Sequence, residues 1–290
     1  MAAVEPIFTA RARLGEGPLW DPVALRLYWV DIYNHRVHWF APDTGAANCW
    51  DVGDTVGAIA LTAQGRILMA LRHGLGFLDP NTGQVVMAEI FEDGEADKRL
   101  NDGKCDAAGR FWIGSMCTAG PGASLYRYDP DGTLHTMETG LTVSNGLGWS
   151  PDNQRFYLAD SPLQKVFVYD FDLETGAIAN RQVHIDLTHQ SAFPDGLTVD
   201  TEGCIWVALW DGWGIKRFDP DGKLMDDIEV PVQRPTSCTF GGPELKRLYI
   251  TSASVGLSEA EIQKSFLSGD VFALDTDVCG LPAHTFDDDL

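Results

Sequence analysis

The apolar positions fall into short runs separated by turns. In Phe193–Trp210 (FPDGLTVDTEGCIWVALW) an apolar run leads to the turn Asp200-Thr201-Glu202-Gly203. A run rich in β-branched and aromatic residues, Ile205-Trp206-Val207, follows. This order predicts strand, tight turn, strand. The same phrase recurs: Glu16-Gly17 precedes WDPVALRLYWV, Gly57 precedes LTAQGRILMA, Asn101-Asp102-Gly103 precedes KCDAAGRFWIG, Asn145-Gly146 precedes WSPDNQRFYLAD, and Ser237 precedes TFGGPELKRLYIT. The second strand of each copy opens on a marker: Arg26, Arg66, Arg110, Arg155, Cys204 and Arg247. The steps between markers are 40, 44, 45, 49 and 43 residues. A period of that length with β content throughout predicts an all-β, six-bladed β-propeller with one four-stranded blade per repeat.

Further turns support four strands per blade. Pro-Asp-Thr-Gly at 42–45, DPNTG at 79–83, DPDG at 129–132, LETG at 173–176 and DPDG at 219–222 each follow an apolar or aromatic run, and predict the hairpin between third and fourth strands. The last repeat carries VFALDTDVCG instead, so residues 4–12, which have strand-like composition, are expected to complete the last blade and close the circle. One helical stretch stands out: 257–267, LSEAEIQKSFL, with a capping box at Ser258 and Glu261. Residues 1–290 therefore read as one domain. Longer loops at 91–103, 117–124 and 184–196 mark the functional end of the scaffold.

Phase carries the chemistry. Glu16, Asn101, Asn145 and Asp195 lie 10, 9, 10 and 9 residues ahead of their markers. Equivalent positions of a propeller are related by rotation, so these side chains are expected on one ring at the start of the innermost strands, with Val56 and Ser237 at the two remaining places. Two carboxylates and two amide oxygens suit a hard divalent cation. A single Asn-Gly or Asp-Gly pair is most simply a turn; four in phase favour a site. A cation there could polarise a carbonyl, with Asp195 or Glu16 as base, which fits ester or lactone hydrolysis. No G-x-S-x-G is present to support a serine nucleophile. Arg99 would stand above the ring and bind substrate oxygen, or else pair on the surface with Glu95 or Asp97. Tyr33, His73, Trp210 and Trp213 either line the pocket mouth or pack between blades, with packing favoured for any one of them. Asp160-Ser161 either bounds the pocket or caps a turn, and the turn is favoured.

Composition removes other classes. The net charge is −21, which disfavours nucleic acid and anionic membrane as partners. No apolar run approaches a membrane span, and the start, MAAVEPIFTARA, lacks a signal-peptide pattern, so the expected location is cytoplasmic. The six cysteines form no C-x-x-C and are expected free and mostly buried. A zinc site of the H-E-x-x-H type is absent. A monomer is compatible with this pattern, and the oligomeric state is left open.

Leu14-Gly15-Glu16-Gly17-Pro18, Arg99-Leu100-Asn101-Asp102-Gly103-Lys104, Ser144-Asn145-Gly146, Pro194-Asp195-Gly196 and Cys238-Thr239-Phe240-Gly241-Gly242 together resemble the regucalcin/gluconolactonase (senescence marker protein) family of six-bladed propellers. The resemblance covers about the whole chain. It implies a metal-dependent lactonase that opens a sugar lactone such as glucono-, xylono- or arabinonolactone. Glu16, Asn145 and Asp195 would hold one divalent cation (calcium, zinc, manganese or ferrous iron). Asn101 would lie near metal and substrate, Arg99 would bind substrate, and Asp195 would double as general base. One departure is visible: acidic residues expected after the equivalent of Gly114-Ser115-Met116 are replaced by Cys117-Thr118-Ala119-Gly120-Pro121, so the substrate lid differs. The rival readings are a phosphotriesterase-like hydrolase with a ring resembling that of diisopropylfluorophosphatase, a non-catalytic calcium-binding regulator, and a protein-interaction propeller, which has no need of inward carboxylates.

Overall fold

A computed structural model describes residues 3–92 and 97–288. Six four-stranded antiparallel sheets form a six-bladed β-propeller. The inner strands of blades one to six are Gly15–Asp21, Val56–Leu61, Lys98–Cys105, Ser144–Trp149, Phe193–Val199 and Pro235–Gly241. Burial falls outward. All six residues of Ser144–Trp149 are buried, whereas five of the six in Ala46–Asp51, an outermost strand, are exposed. The sheet faces pack blade on blade: Trp112 of blade three meets Trp149 and Phe156 of blade four at ring separations of 5.9 and 5.1 Å.

The basic markers begin the second strands, or sit one residue before them, as the repeat predicts. Two of them show why a basic residue recurs. The Arg26 guanidinium lies 3.9 Å over Trp39, and that of Arg66 lies 4.0 Å over Phe77; each aromatic belongs to the third strand of the same blade.

Closure follows the expectation, with a shorter strand. Glu5–Phe8 pairs antiparallel with Val271–Asp275 and supplies the fourth strand of blade six. The chain then adds a second fastening. After Asp275 it crosses to blade two, where Phe286 exchanges backbone hydrogen bonds with Leu61 and Ala63, and Asp288 pairs with Arg66 at 2.8 Å. Phe286 is fully buried and stacks on Tyr128 of blade three. The predicted helix is present as Glu259–Lys264, between the second and third strands of blade six. Ser258 and Glu261 form the capping box. All six cysteines are free, and Cys105, Cys117, Cys204 and Cys238 are buried. Among the described residues no helix is long and apolar enough to cross a membrane.

Candidate functional site

Every inner strand breaks its register near the axis. The shifts fall at Glu16/Leu19, Val56/Ala58, Leu100/Gly103, Ser144/Leu147, Pro194/Leu197 and Pro235/Ser237. A bulge takes residues out of the ladder and re-aims their side chains. The glycines beside them make room for the neighbouring blade. A Cβ on Gly146 would stand 2.4 Å from the Asp195 carbonyl oxygen, one on Gly57 2.4 Å from that of Asn101, and one on Gly196 2.0 Å from Ser237 Oγ. These glycines sit inside strands, so the simple turn reading of Asn145-Gly146 and Asp195-Gly196 does not hold.

The bulges bring Glu16, Asn101, Asn145 and Asp195 to one cavity of about 440 Å³, which Arg99 also lines. All four ring side chains are buried. Val56 and Ser237 occupy the other two inner strands but do not line it, which leaves the donor set on blades one, three, four and five. Asn145 Nδ2 donates to Asp195 Oδ1 and, at 3.0 Å, to Ser161 Oγ. Asn101 Nδ2 donates to the Ser144 carbonyl at 3.0 Å, and its Oδ1 accepts from Arg99 Nη1 at 2.7 Å. Asn145 Oδ1 is buried and has no hydrogen-bond partner.

Electrostatics single out the same place. Burial pushes the Glu16 carboxyl well above the usual range, the charges of Asp195 and Asp102 add to this, and the Gly17 N–H and Arg99 oppose it. Burial and then Asp102 likewise push Asp195 well up, against Asn145, Glu16 and Arg99. Asp102, next along the strand from Asn101, is itself raised by burial, with Lys104 and the Gly103 N–H opposing. Two acids and an unpartnered amide oxygen, held together out of water, form a set that a hard divalent cation completes: it supplies the positive charge the carboxyls lack and a partner for Asn145 Oδ1.

Arg99 faces inward. It is bound to the Leu100 carbonyl at 2.9 Å and to Asn101, and its guanidinium lies 5.8 Å from the Tyr33 ring centre. Of the surface partners considered above, Glu95 lies outside the described residues, and the Asp97 carboxylate accepts from Thr118. Tyr33 and Trp210 line the cavity; His73 and Trp213 do not. Asp160 accepts the backbone N–H groups of Thr142 and Val143 at 3.0 and 3.2 Å, while Ser161 faces the cavity. The pair thus divides between backbone support and pocket. Met116 reaches the cavity, whereas residues 117–121 do not line it.

Arg234 is a cavity residue that the sequence did not announce. Its Nε lies 2.6 Å from Asp211 Oδ1, its Nη1 is bound to the Val255 carbonyl, and the guanidinium sits 4.6 Å over Trp210. Nothing in PVQRPTS distinguishes it from a loop arginine. The remaining walls are largely apolar, with Leu14, Val143, Phe193 and Val255 among them.

Among the described residues one other cluster of acid and thiol groups stands close together: Asp200, Glu202 and Cys204. Its centre is already filled. Asp200 Oδ1 accepts the N–H groups of Glu202 and Cys204; Oδ2 accepts Trp206 Nε1 and both Nε and Nη2 of Arg217. The Cys204 thiol is pushed up to about 11 by burial and then by Asp200, so it is protonated at neutral pH and a poor ligand.

The model of the SMP-30/gluconolactonase/LRE-like region matches residues 14–254. The chain belongs to this family. That span includes Glu16, Arg99, Asn101, Asn145 and Asp195. Among its relatives, a pentonolactonase from Haloferax volcanii is 35% identical over 291 residues, covering 98% of each chain. A 6-deoxy-6-sulfogluconolactonase from Pseudomonas putida is 37% identical over 278 residues, covering 94% of each. A solved structure of a protein from Agrobacterium tumefaciens, named regucalcin and described as calcium-binding, superposes with a TM-score of 0.94 at 27% identity. It covers 98% of this chain and 97% of its own.

Proposed function

We propose that the protein is a single-domain, metal-dependent hydrolase that opens a sugar (aldono)lactone to the sugar acid. The observation that carries this reading is the axial donor set: Asn145 Oδ1 buried without a partner, beside two carboxyls that burial, and then neighbouring acid charge, push up. In this reading Glu16, Asn145 and Asp195 hold one divalent cation. Relatives named as lactonases of pentono- and sulfogluconolactones support the substrate class, and the calcium-binding relative supports a divalent ion.

The bound cation supplies positive charge that keeps both carboxyls ionised and polarises a carbonyl. The protein's own groups do the rest. The lactone ring lies against the floor of the cavity, with Asn101 and Arg99 on its oxygens. The Leu100 and Asn101 bonds engage only Nη1 of Arg99; its other edge meets Tyr33, and on this reading the guanidinium turns its remaining N–H groups to the carbonyl oxygen as that oxygen gains charge. Asp195 takes a proton from water as the water oxygen bonds to the lactone carbonyl carbon. Collapse of the tetrahedral species breaks the ring C–O bond. The proton held by Asp195 passes to the departing ring oxygen, and the hydroxy acid leaves.

The test is hydrolysis by chelator-treated protein, with calcium, magnesium, manganese, zinc or ferrous iron added back. Glucono-, galactono-, xylono- and arabinonolactone are offered beside a phosphotriester, and acid release is followed. Metal-restored turnover of one lactone is expected. Cation binding with no lactone turned over would overturn the lactonase reading, in favour of the phosphotriesterase if that substrate is cleaved and of a calcium-binding regulator if none is.

A further inference from the structure

We propose that Ser161 is a positioning residue that fixes the orientation of the Asn145 amide, and so decides that an oxygen and not an N–H₂ faces the axial cation site. This rests on the reading of Glu16, Asn145 and Asp195 as a cation site.

The two ends of an amide have almost the same shape, and only hydrogen-bond partners tell them apart. At Asn145 the chain of partners starts from a group that cannot change role. The Pro194 carbonyl can only accept. Ser161 Oγ lies 2.6 Å from it, so the hydroxyl proton points to Pro194. What remains on Ser161 Oγ is lone pairs. Asn145 lies 3.0 Å away and must therefore present its nitrogen to the hydroxyl. The second N–H of the same nitrogen then meets Asp195 Oδ1, and the amide oxygen is left buried with no donor in reach. Asp195 could not make this choice alone, because a carboxyl accepts in one protonation state and donates in the other. A backbone carbonyl one residue before Asp195 thus sets the amide of a different blade through one hydroxyl.

Asn101 provides the contrast inside the same ring. Its nitrogen is fixed directly by the Ser144 carbonyl, without an intermediary hydroxyl, and its oxygen is already taken by Arg99. The ring therefore holds one amide whose oxygen is committed to protein and one whose oxygen is kept free, and Ser161 is what keeps it free. Ser161 opens the short helical turn Ser161–Leu163, and its hydroxyl bonds Pro194 and Asn145. Both partners lie far along the chain, 33 and 16 residues away.

The test is calorimetric titration of chelator-treated full-length protein with calcium and with manganese. Ser161→Ala is expected to weaken binding about 10- to 100-fold, and Ser161→Thr, which keeps the hydroxyl, to stay within about threefold of the parent. In the Asn145→Asp background, where either face presents oxygen, the further Ser161→Ala change is expected to cost under about threefold. Melting of the metal-free variants checks that each is folded. Parent-like affinity in Ser161→Ala overturns the proposal. So does an equal loss in the Asn145 and Asn145→Asp backgrounds, which would make Ser161 a packing residue. If the Asn145→Asp background binds no cation, the threonine comparison decides alone, and equal loss in Ala and Thr overturns the proposal. Absence of saturable binding in the parent sinks the cation reading itself, a result distinct from tight parent binding that Ser161→Ala leaves untouched.

Discussion

Asp195 and Asp200 sit five residues apart at the two ends of one blade's inner strand, and Asn101 and Asp106 stand in the same relation in blade three. Asp106 and Asp200 are completely buried. Each binds the turn that follows it and the indole of the second strand. Asp106 accepts from the backbone of Ala108 and Arg110, from Arg110 Nε at 2.7 Å and from Trp112 Nε1 at 2.8 Å. Asp200 repeats this with Trp206 and Arg217. At the axial end Glu16 and Asp195 are buried too, yet they line a cavity, and the charge of nearby Asp102 raises both. Burial alone does not mark a functional acid. What separates the two ends is whether the protein itself supplies the compensating charge. At the turn it does, with an arginine and an indole; at the axis the supply falls short, and the deficit is what a cation can fill.

The comparison is broken most severely by neutralising one acid at each end. Asp195→Asn removes the proposed base and a cation ligand while leaving the shape unchanged. Its kcat/KM on the preferred lactone is expected to fall about 1,000-fold or more, with the metal-free melting temperature unchanged or raised. Asp200→Asn leaves Arg217 without its buried partner and should cost about 3–5 kcal/mol in urea unfolding, while the protein that remains folded turns over normally. Near-parent activity in the first, or selective loss of activity without loss of stability in the second, would mean the two ends have been read the wrong way round.

Arg99→Ala tests the part of the axial site that is not ligand. Expected is a fall of about 10- to 100-fold in kcat/KM, with calcium affinity near that of the parent. The substrate role of Arg99 fails if catalytic efficiency is unchanged.

Legibility in the sequence followed the same divide. The blade count, the closing strand and the capped helix were readable because each repeats a local rule: turn residues at fixed offsets, a basic residue opening every second strand but that of blade five, a serine three residues before a glutamate. The ring residues were readable because a rotational repeat turns phase along the chain into position in space. The role of Ser161 and the place of Arg234 were not. Ser161 matters through Pro194 and Asn145, 33 and 16 residues away, and Arg234 through Asp211 and Trp210 of a neighbouring blade. Neither contact leaves a spacing to read. Asp200 was read only as part of the turn 200–203, since its indole partner Trp206 lies across the hairpin. The tail was hidden for another reason. In AHTFDDDL a lone aromatic among acids resembles a solvated end, yet Phe286 is buried between blades and Asp288 answers Arg66.

The smallest effect tests the deficit itself. Glu16 is held well above its ordinary value of 4.5 by burial and then by Asp195 and Asp102. The folded metal-free protein therefore keeps a proton there that the unfolded chain gives up near pH 4.5. A raised carboxyl stabilises the fold fully below the unfolded value, and that contribution is lost as the pH climbs through the folded one. Glu16→Gln places a neutral group of the same shape at that position, so its stability advantage over the parent, measured without metal, should be near zero at pH 4 and grow towards pH 8. The rise of that advantage with pH, not its size, is what urea unfolding of the two metal-free proteins reads. Saturating calcium should reverse the sign, because the parent gains the binding energy and Glu16→Gln has lost a ligand. A stability gap that stays flat from pH 4 to 8, or that calcium leaves unchanged, would show that the axial acids are compensated within the protein after all, as Asp106 and Asp200 are.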